Sequence, residues 1–345
     1  MKCAVSIDWL TFTVKGMSWN DVVETFLGLN TNLFTDLSIT MNGYQHVMAF
    51  SNIYVCYQPR ENQYFKNMGV CVSMSGSGCR TFENFSSFAG TDDKEPDNSR
   101  AFITLFSKIN DSPDVKISRL DVACDDKEGY LDMETIVGCV NDGELRTRLL
   151  KRTIYTKRDG KKYSGQTVYI GSPSSSFRIR IYDKALEQKT EGHWIRVEMV
   201  LRGRNANGFV SEMFQDKGET IGKLASKVLN DKLTFIEMDD SNISRCSICL
   251  WWQKFIDELE SVHLVTREIV QHTVDKIMEW VDNQIAPSLF ILFKTLGFES
   301  LRVLVESVAN RVYKDRKKLA IIEDWHNLRI QTDTQVFLPQ VFAAV

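Results

Sequence analysis

The segment from Gln166 to Arg204 holds the densest set of residues able to do chemistry: QTVYIGSPSSSFRIRIYDKALEQKTEGHWIRVEMVLRGR. Side chains alternate between the two faces of a strand. Arg178, Arg180, Tyr182 and Lys184 therefore share one face, and Phe177, Ile179 and Ile181 share the other. The next strand repeats the pattern, with Arg196, Glu198 and Arg202 against Ile195, Val197, Met199 and Leu201. Upstream, KISRLDVACDD sets Arg119, Asp121 and Asp125 opposite Leu120, Val122 and Cys124. Placed in one sheet with the polar faces together, these strands would gather carboxylates, a tyrosine and several cations. That combination suits phosphate chemistry. Carboxylates hold a hard divalent cation, cations neutralise phosphate oxygens, and a tyrosine hydroxyl can attack phosphorus to give a covalent intermediate.

Tyr182 is the first choice of nucleophile, because Arg178, Arg180 and Lys184 surround it in sequence and would stabilise a phenolate, which ordinarily forms only near pH 10. Tyr169, in TVYIGS, is the rival. Asp121 and Glu198 are expected metal ligands, with Asp125 and Asp8 as further candidates. The five histidines, His46, His193, His263, His272 and His326, include no His-x-His pair, so oxygen ligands and hence Mg²⁺ or Mn²⁺ are expected rather than zinc. Gly171, Ser172, Ser174 and Ser175 offer donors to a phosphate. Arg80, at the end of the small-residue stretch SGSGCR, is a further contact for DNA.

The elements that position these residues read as strands and helices in alternation. Val5 to Val14 is an apolar strand, and Ser18 is the N-cap of a helix through Asp21 to Leu27. GYQHVMAF and NIYVCYQP form a hairpin around Ser51 and Asn52, GVCVSMSG adds a strand, SGSGCRTFENF reads as a turn, and Ser99 to Ile109 reads as a helix. From Lys116 the order recurs: strand, helix from Met133 to Val140, a basic strand from Arg148 to Lys157, then the strands above. This repetition suggests two similar half-units in one sheet system. Beyond Gly203, Asn207 to Val228 and much of Ser247 to Lys318 carry apolar residues at helical spacing. The expected organisation is a catalytic domain over 1–205 and a mainly helical region over 206–345.

Composition narrows the class. With 345 residues and 43% apolar content the chain builds a proper core. No long apolar run or signal peptide is present, so a cytoplasmic protein without a membrane partner is expected. The eight cysteines are scattered, and Cys246-x-x-Cys249 has no second pair to complete a zinc site. Net charge is −3, yet Leu145 to Arg204 holds 15 Lys and Arg against 5 Asp and Glu. A basic band, including Lys161 and Lys162, on an otherwise acidic chain fits a polyanion gripped in one place.

At these residues the chain resembles the replication initiation factor family, which comprises the rolling-circle plasmid and phage Rep proteins and related conjugative relaxases. The matching stretches are IDWLTFT at Ile7, MSGSGCRTFE at Met74, ISRLDVACDD at Ile117, TVYIGSPSSSFRIRIYDKALE at Thr167, WIRVEMVLRGR at Trp194 and, more loosely, MEWVDNQIAPSLFIL at Met278. The resemblance implies an α+β, antiparallel-sheet nuclease domain similar, though not identical, to the His-hydrophobe-His endonucleases. It implies an enzyme that nicks an origin, becomes joined to the 5′ phosphate through tyrosine, and leaves a 3′ hydroxyl. A divalent metal and origin DNA, single-stranded or locally unwound, are the implied partners. Arg119, Arg178 and Arg196 are then expected on the DNA. A host helicase and a second copy of the chain are candidate partners. Two other functions stay open: an origin-binding regulator without catalysis, and a metal-dependent nuclease attacking with water.

Overall fold

The computed structural model describes residues 3–58, 68–86, 100–159, 162–215, 220–260, 290 and 293–303. Lys161, His263, His272, His326 and most of the helical patterns beyond residue 260 lie outside the described residues.

The first half of the chain supplies β1 (Cys3–Val14), α1 (Trp19–Val22), β2 (Thr35–Asp36), β3 (His46–Phe50), β4 (Ile53–Tyr57), β5 (Val70–Met74), α2 (Gly76–Ser86) and α3 (Arg100–Asn110). The second supplies β6 (Val115–Asp126), α4 (Met133–Asp142), β7 (Leu145–Arg146), β8 (Arg152–Asp159), β9 (Lys162–Ile170), β10 (Phe177–Asp183), α5 (Lys184–Gln188) and β11 (Ile195–Arg202). Then follow α6 (Arg204–Gln215), α7 (Ile221–Lys232), β12 (Thr234–Phe235) and α8 (Leu250–Glu260).

Ten strands make one sheet in the order β2-β3-β4-β5-β1-β6-β11-β10-β9-β8, and β12 pairs with β7 apart from it. Each half opens with a long strand, β1 or β6, passes through a helix, and returns as a meander whose last strand, β5 or β11, pairs with the first. The two opening strands pair antiparallel at the centre of the sheet. The expected pair of half-units is thus present in the topology, though the two halves share no visible sequence identity.

Local chemistry explains the elements. Ser18 caps α1 as expected, its hydroxyl accepting from the Asp21 amide in a reciprocal capping box. Asp132 caps α4 through the Thr135 amide. The stretch read as a turn from Ser75 to Arg80 is instead the start of α2, because its two glycines permit close packing. A β-carbon on Gly78 would stand 2.2 Å from the Asn52 carbonyl oxygen, in the turn between β3 and β4.

The apolar face of the sheet is covered by helices. Val5, Ile7, Leu10 and Phe12 of β1 and Val197, Met199 and Leu201 of β11 are buried, with α6 against β6 and β11 and both α7 and α8 against β1. Phe82 of α2 and Phe102 of α3 meet edge to face at 5.1 Å, and Phe235, Trp252 and Phe255 form a second aromatic cluster. All eight cysteines are buried free thiols. Residues Met1–Ser87 and Asp97–Thr266 cluster as one compact unit, and Phe88–Pro96 with Arg267–Val345 as another. The expected boundary near 205 therefore falls inside the sheet-bearing unit, since α6 to α8 bury their apolar faces there. In the second unit residues 293–303 are helical. Among the described residues no helix is long and apolar enough to cross a membrane.

Candidate active site on the polar face of the sheet

Antiparallel pairing lines up the polar residues in rows that cross the strands. Tyr169 of β9 stands opposite Arg180 of β10, and Arg180 opposite Glu198 of β11. In the next row Thr167 faces Tyr182, Tyr182 faces Arg196, and Arg196 faces Asp125 of β6. Asp121 lies opposite Val200 on one side and Trp9 on the other. The candidates on β1, β6, β9, β10 and β11 are thus assembled on one face.

Asp8 reaches that face through a bulge. The pairing of β1 with β6 slips between Ile7 and Trp9, so Ile7 stays with the core, Trp9 points to the polar side, and Asp8 is the inserted residue between them. A bulge re-aims a side chain in this way. The sequence carries the signal, since the apolar positions Val5 and Ile7 are followed by Leu10 and Phe12, a change of phase within one strand. Helix α2 holds the bulge from behind. Arg80 donates through Nη2 to the Ile7 carbonyl at 2.6 Å and pairs with Glu83 at 3.0 Å, while a β-carbon on Gly76 would lie 3.0 Å from Asp8 Oδ1. Arg80 is therefore a tie between α2 and β1, in place of the expected DNA contact.

The carboxylates are each met by an arginine. Arg196 grips Asp125 with two bonds, Nε to Oδ1 at 2.6 Å and Nη2 to Oδ2 at 2.9 Å, and donates through Nη1 to Asp8 at 2.8 Å. Arg196 and Asp125 are both buried. Burial alone would lower the pKa of this guanidinium, but the bonds to Asp125 and the field of Asp8 raise it. The expected DNA contact at Arg196 is thus an internal clamp that fixes two acids, a role needing the planar fork of arginine. Arg119 holds Asp121 in a second fork at 2.9 and 2.6 Å, and its guanidinium lies 4.1 Å from the Trp9 ring centroid. Neither Trp9 nor the clamp stands out in the sequence.

Glu198 is the least neutralised acid. It accepts from the Tyr182 hydroxyl at 3.3 Å, and the nearest Arg180 nitrogen is 3.6 Å away. Burial and the charges of Asp121 and Asp8 push its carboxyl up to about 7, against the pull of Arg180 and Arg196. Burial likewise raises Asp121, which Arg119 opposes. Asp121 and Asp8 thus act on Glu198 as like charges, and a hard cation with oxygen preference suits that donor chemistry. Asp125, like Asp121, is held in an arginine fork. Among the described residues no three His, Cys, Asp or Glu side chains converge in metal-binding geometry.

The two tyrosines differ sharply. Tyr182 is 3% exposed, and burial and the Glu198 carboxylate push its phenol well above the usual value. Arg180 covers its ring at 3.9 Å, and the Lys184 ammonium, paired with Glu187, lies 5.6 Å off. Tyr169 is only half-buried. The Arg178 guanidinium stacks on its ring at 3.8 Å, and Tyr155 of β8 meets it edge to face at 5.5 Å. The Nε atoms of Arg178 and Arg180 are buried without a hydrogen-bond partner. Ser172, on the turn after β9, shares a hydrogen bond with Ser174 at 3.1 Å, and Arg202 pins that turn through the Pro173 and Ser175 carbonyls. Lys162 opens β9; its side chain lies outside the described residues.

Comparisons with known proteins show what the chain is similar to. The profile described as replication initiation factor matches residues 115–308, and one described as the N-terminal domain of rolling circle replication initiation proteins matches residues 4–92. A protein of Bacillus subtilis (strain 168) named "Putative DNA relaxase NicK" is 23% identical over 325 residues, spanning 90% of this chain and 87% of the relative. The solved structure of a rolling circle replication initiator protein from Geobacillus stearothermophilus superposes with a TM-score of 0.65 at 26% identity, covering 77% of this chain and 99% of that one.

Proposed function

The chain belongs to the replication initiation factor family, and from that premise we propose that it nicks one DNA strand at an origin by tyrosine transesterification. In this reading the Tyr169 hydroxyl oxygen attacks the scissile phosphorus, and the bond to the 3′ oxygen breaks. The products are a 5′-phosphotyrosine link and a free 3′ hydroxyl, which carries the proton the phenol gives up. One phosphoester bond replaces another, so the step is readily reversed.

The observation that carries the choice of tyrosine is exposure. A nucleophile must reach a phosphate along a polynucleotide backbone, and Tyr169 is half-buried on the polar face while Tyr182 is 3% exposed beneath Arg180. The preference for Tyr182 drawn from sequence is therefore reversed. Arg178, stacked on Tyr169, and Arg180, opposite it, are placed to neutralise phosphate charge as it builds. Tyr182 would serve instead to orient Glu198. Asp121, Glu198 and Asp8, which do not converge in metal-binding geometry as the structure stands, are the residues whose oxygens would suit Mg²⁺ or Mn²⁺, whose chemistry would be to polarise a phosphoryl oxygen. The rise of the Glu198 carboxyl under burial and the charges of Asp121 and Asp8 supports the assignment.

The test is a denaturing gel of protein mixed with labelled single-stranded origin DNA and Mg²⁺ or Mn²⁺, comparing wild type, Tyr169→Phe and Tyr182→Phe. Wild type and Tyr182→Phe should give a labelled band at protein mass, and Tyr169→Phe should give none. An adduct lost only in Tyr182→Phe would return the nucleophile to that residue. Cleavage without an adduct would indicate water as the attacking group, and neither product would indicate a binding protein without catalysis.

A further inference from the structure

The edge of the sheet beside Tyr169 carries a feature the reaction above does not use. Among the described residues β8 is the last strand of the sheet, paired only with β9. Its register sets Thr153 opposite Tyr169 and Tyr155 opposite Thr167, so Thr153, Tyr155 and Lys157, at alternate positions, fall on the polar face that carries Tyr169, and Lys151 immediately precedes the strand. Tyr155 is 59% exposed, and Lys151 and Lys157 on either side of it are exposed as well. The ring of Tyr155 nevertheless has a fixed place, edge to face with Tyr169 at 5.5 Å.

Lysines on an edge strand can be explained as protection against pairing with another sheet. A large, open aromatic ring between them is the opposite of such protection. Cations spaced along a strand with an aromatic between them are, however, what single-stranded nucleic acid needs, charge for its backbone and a flat apolar surface for a base.

We propose that Tyr155 is a stacking platform that seats a base of the DNA strand next to the phosphate presented to Tyr169, with Lys151 and Lys157 holding the backbone on either side. The proposal rests on the reading of Tyr169 as the reacting residue. In it Tyr155 is a positioning residue, and the platform accepts any base because stacking uses the ring face alone.

The test uses the full-length Tyr169→Phe protein, so that no cleavage intrudes, and fluorescence anisotropy with two probes. One is an oligothymidylate of about twelve nucleotides, within the length that single-strand-binding surfaces commonly occupy; the other has the same backbone with every base removed. Adding Tyr155→Ala should weaken binding of the oligothymidylate by roughly tenfold and leave the abasic probe unchanged, whereas Tyr155→Trp should restore the lost affinity. Lys151→Ala and Lys157→Ala should instead weaken both probes alike and flatten the salt dependence. An equal loss on both probes with Tyr155→Ala, no loss on either, or failure of the parent protein to bind oligothymidylate would overturn the proposal. The adduct assay is a separate readout. If Tyr169→Phe still forms an adduct, the nucleophile assignment fails while the comparison of probes still decides whether Tyr155 stacks a base.

Discussion

At the scale of single residues, burial raises the carboxyls of Asp121 and Glu198 on the polar face, and the neighbouring arginines only partly oppose it. Glu198 shows the consequence, because its carboxyl sits at about 7 in the fold and near 4.3 in an unfolded chain. A carboxyl raised on folding stabilises the protonated native form fully below its unfolded value. That contribution is lost as pH rises through the folded value, so the cost is complete above about pH 7. In metal-free protein kept in chelator, Glu198→Gln should therefore raise stability at pH 8 by about 1–3 kcal/mol and have little effect at pH 4. Urea unfolding at the two pH values measures this, and an equal effect at both would show that Glu198 is not the strained group. Mg²⁺ added at pH 8 should recover the stability of wild type but not of Glu198→Gln, since binding to the native form alone shifts unfolding by mass action. Asp125 offers the contrast. Its buried fork with Arg196 is a clamp that the pattern of acids in the sequence did not show.

At the scale of elements, α2 decides where Asp8 stands, and two glycines in helices make opposite predictions. Gly78 of α2 has backbone of the β3–β4 turn where a β-carbon would go, with the Asn52 carbonyl carbon 2.9 Å away as well as its oxygen. Gly78→Ala must push α2 off the sheet, taking Arg80 from the Ile7 carbonyl. It should cost at least about 2 kcal/mol of stability. Gly138 of α4 has nothing within 4 Å of that position, so Gly138→Ala should stabilise by about 0.5–1 kcal/mol through the helix preference of alanine alone. Thermal or urea unfolding of the two variants checks both signs. Local signals of this kind were legible where they were short-range: the cap at Ser18, the hairpin at Ser51 and Asn52, and the alternation that put Arg178, Arg180 and Glu198 on one face. What escaped reading was set by contact between distant segments. SGSGCR reads as a turn until the Asn52 backbone is known to press against it. Arg196 reads as a DNA contact until Asp125 and Asp8 are known to lie beside it. Tyr182 reads as the better nucleophile, from the cations around it in sequence, until its burial is known.

At the scale of the whole molecule, charge and architecture are arranged in different ways. The basic band from Leu145 to Arg204 maps onto the β8-to-β11 side of the sheet, so the excess positive charge lies on one side of the sheet in a chain whose net charge is only −3. The half-unit repeat was visible as an order of elements. The domain boundary was not, because a helical pattern after Gly203 says nothing about what the helices pack against. In the structure α6 to α8 bring buried Phe209, Leu224, Leu229, Trp252 and Phe255 to the unit that holds the sheet, with α6 on β6 and β11 and α7 and α8 on β1. A chain ended after residue 205 would leave the apolar side of the central strands bare, at a cost of about 25 cal/mol for each Å² exposed, and many such side chains exceed the few kcal/mol by which domains are stable. That fragment should be insoluble or lack a cooperative unfolding transition. A chain ended after residue 266 keeps every residue from 97 to 266 that clusters with the sheet, and should unfold cooperatively with its aromatic near-ultraviolet circular dichroism intact. Cooperative unfolding of the shorter fragment would mean that α6 to α8 are a separable layer, and that the sheet can hold its polar face together without them.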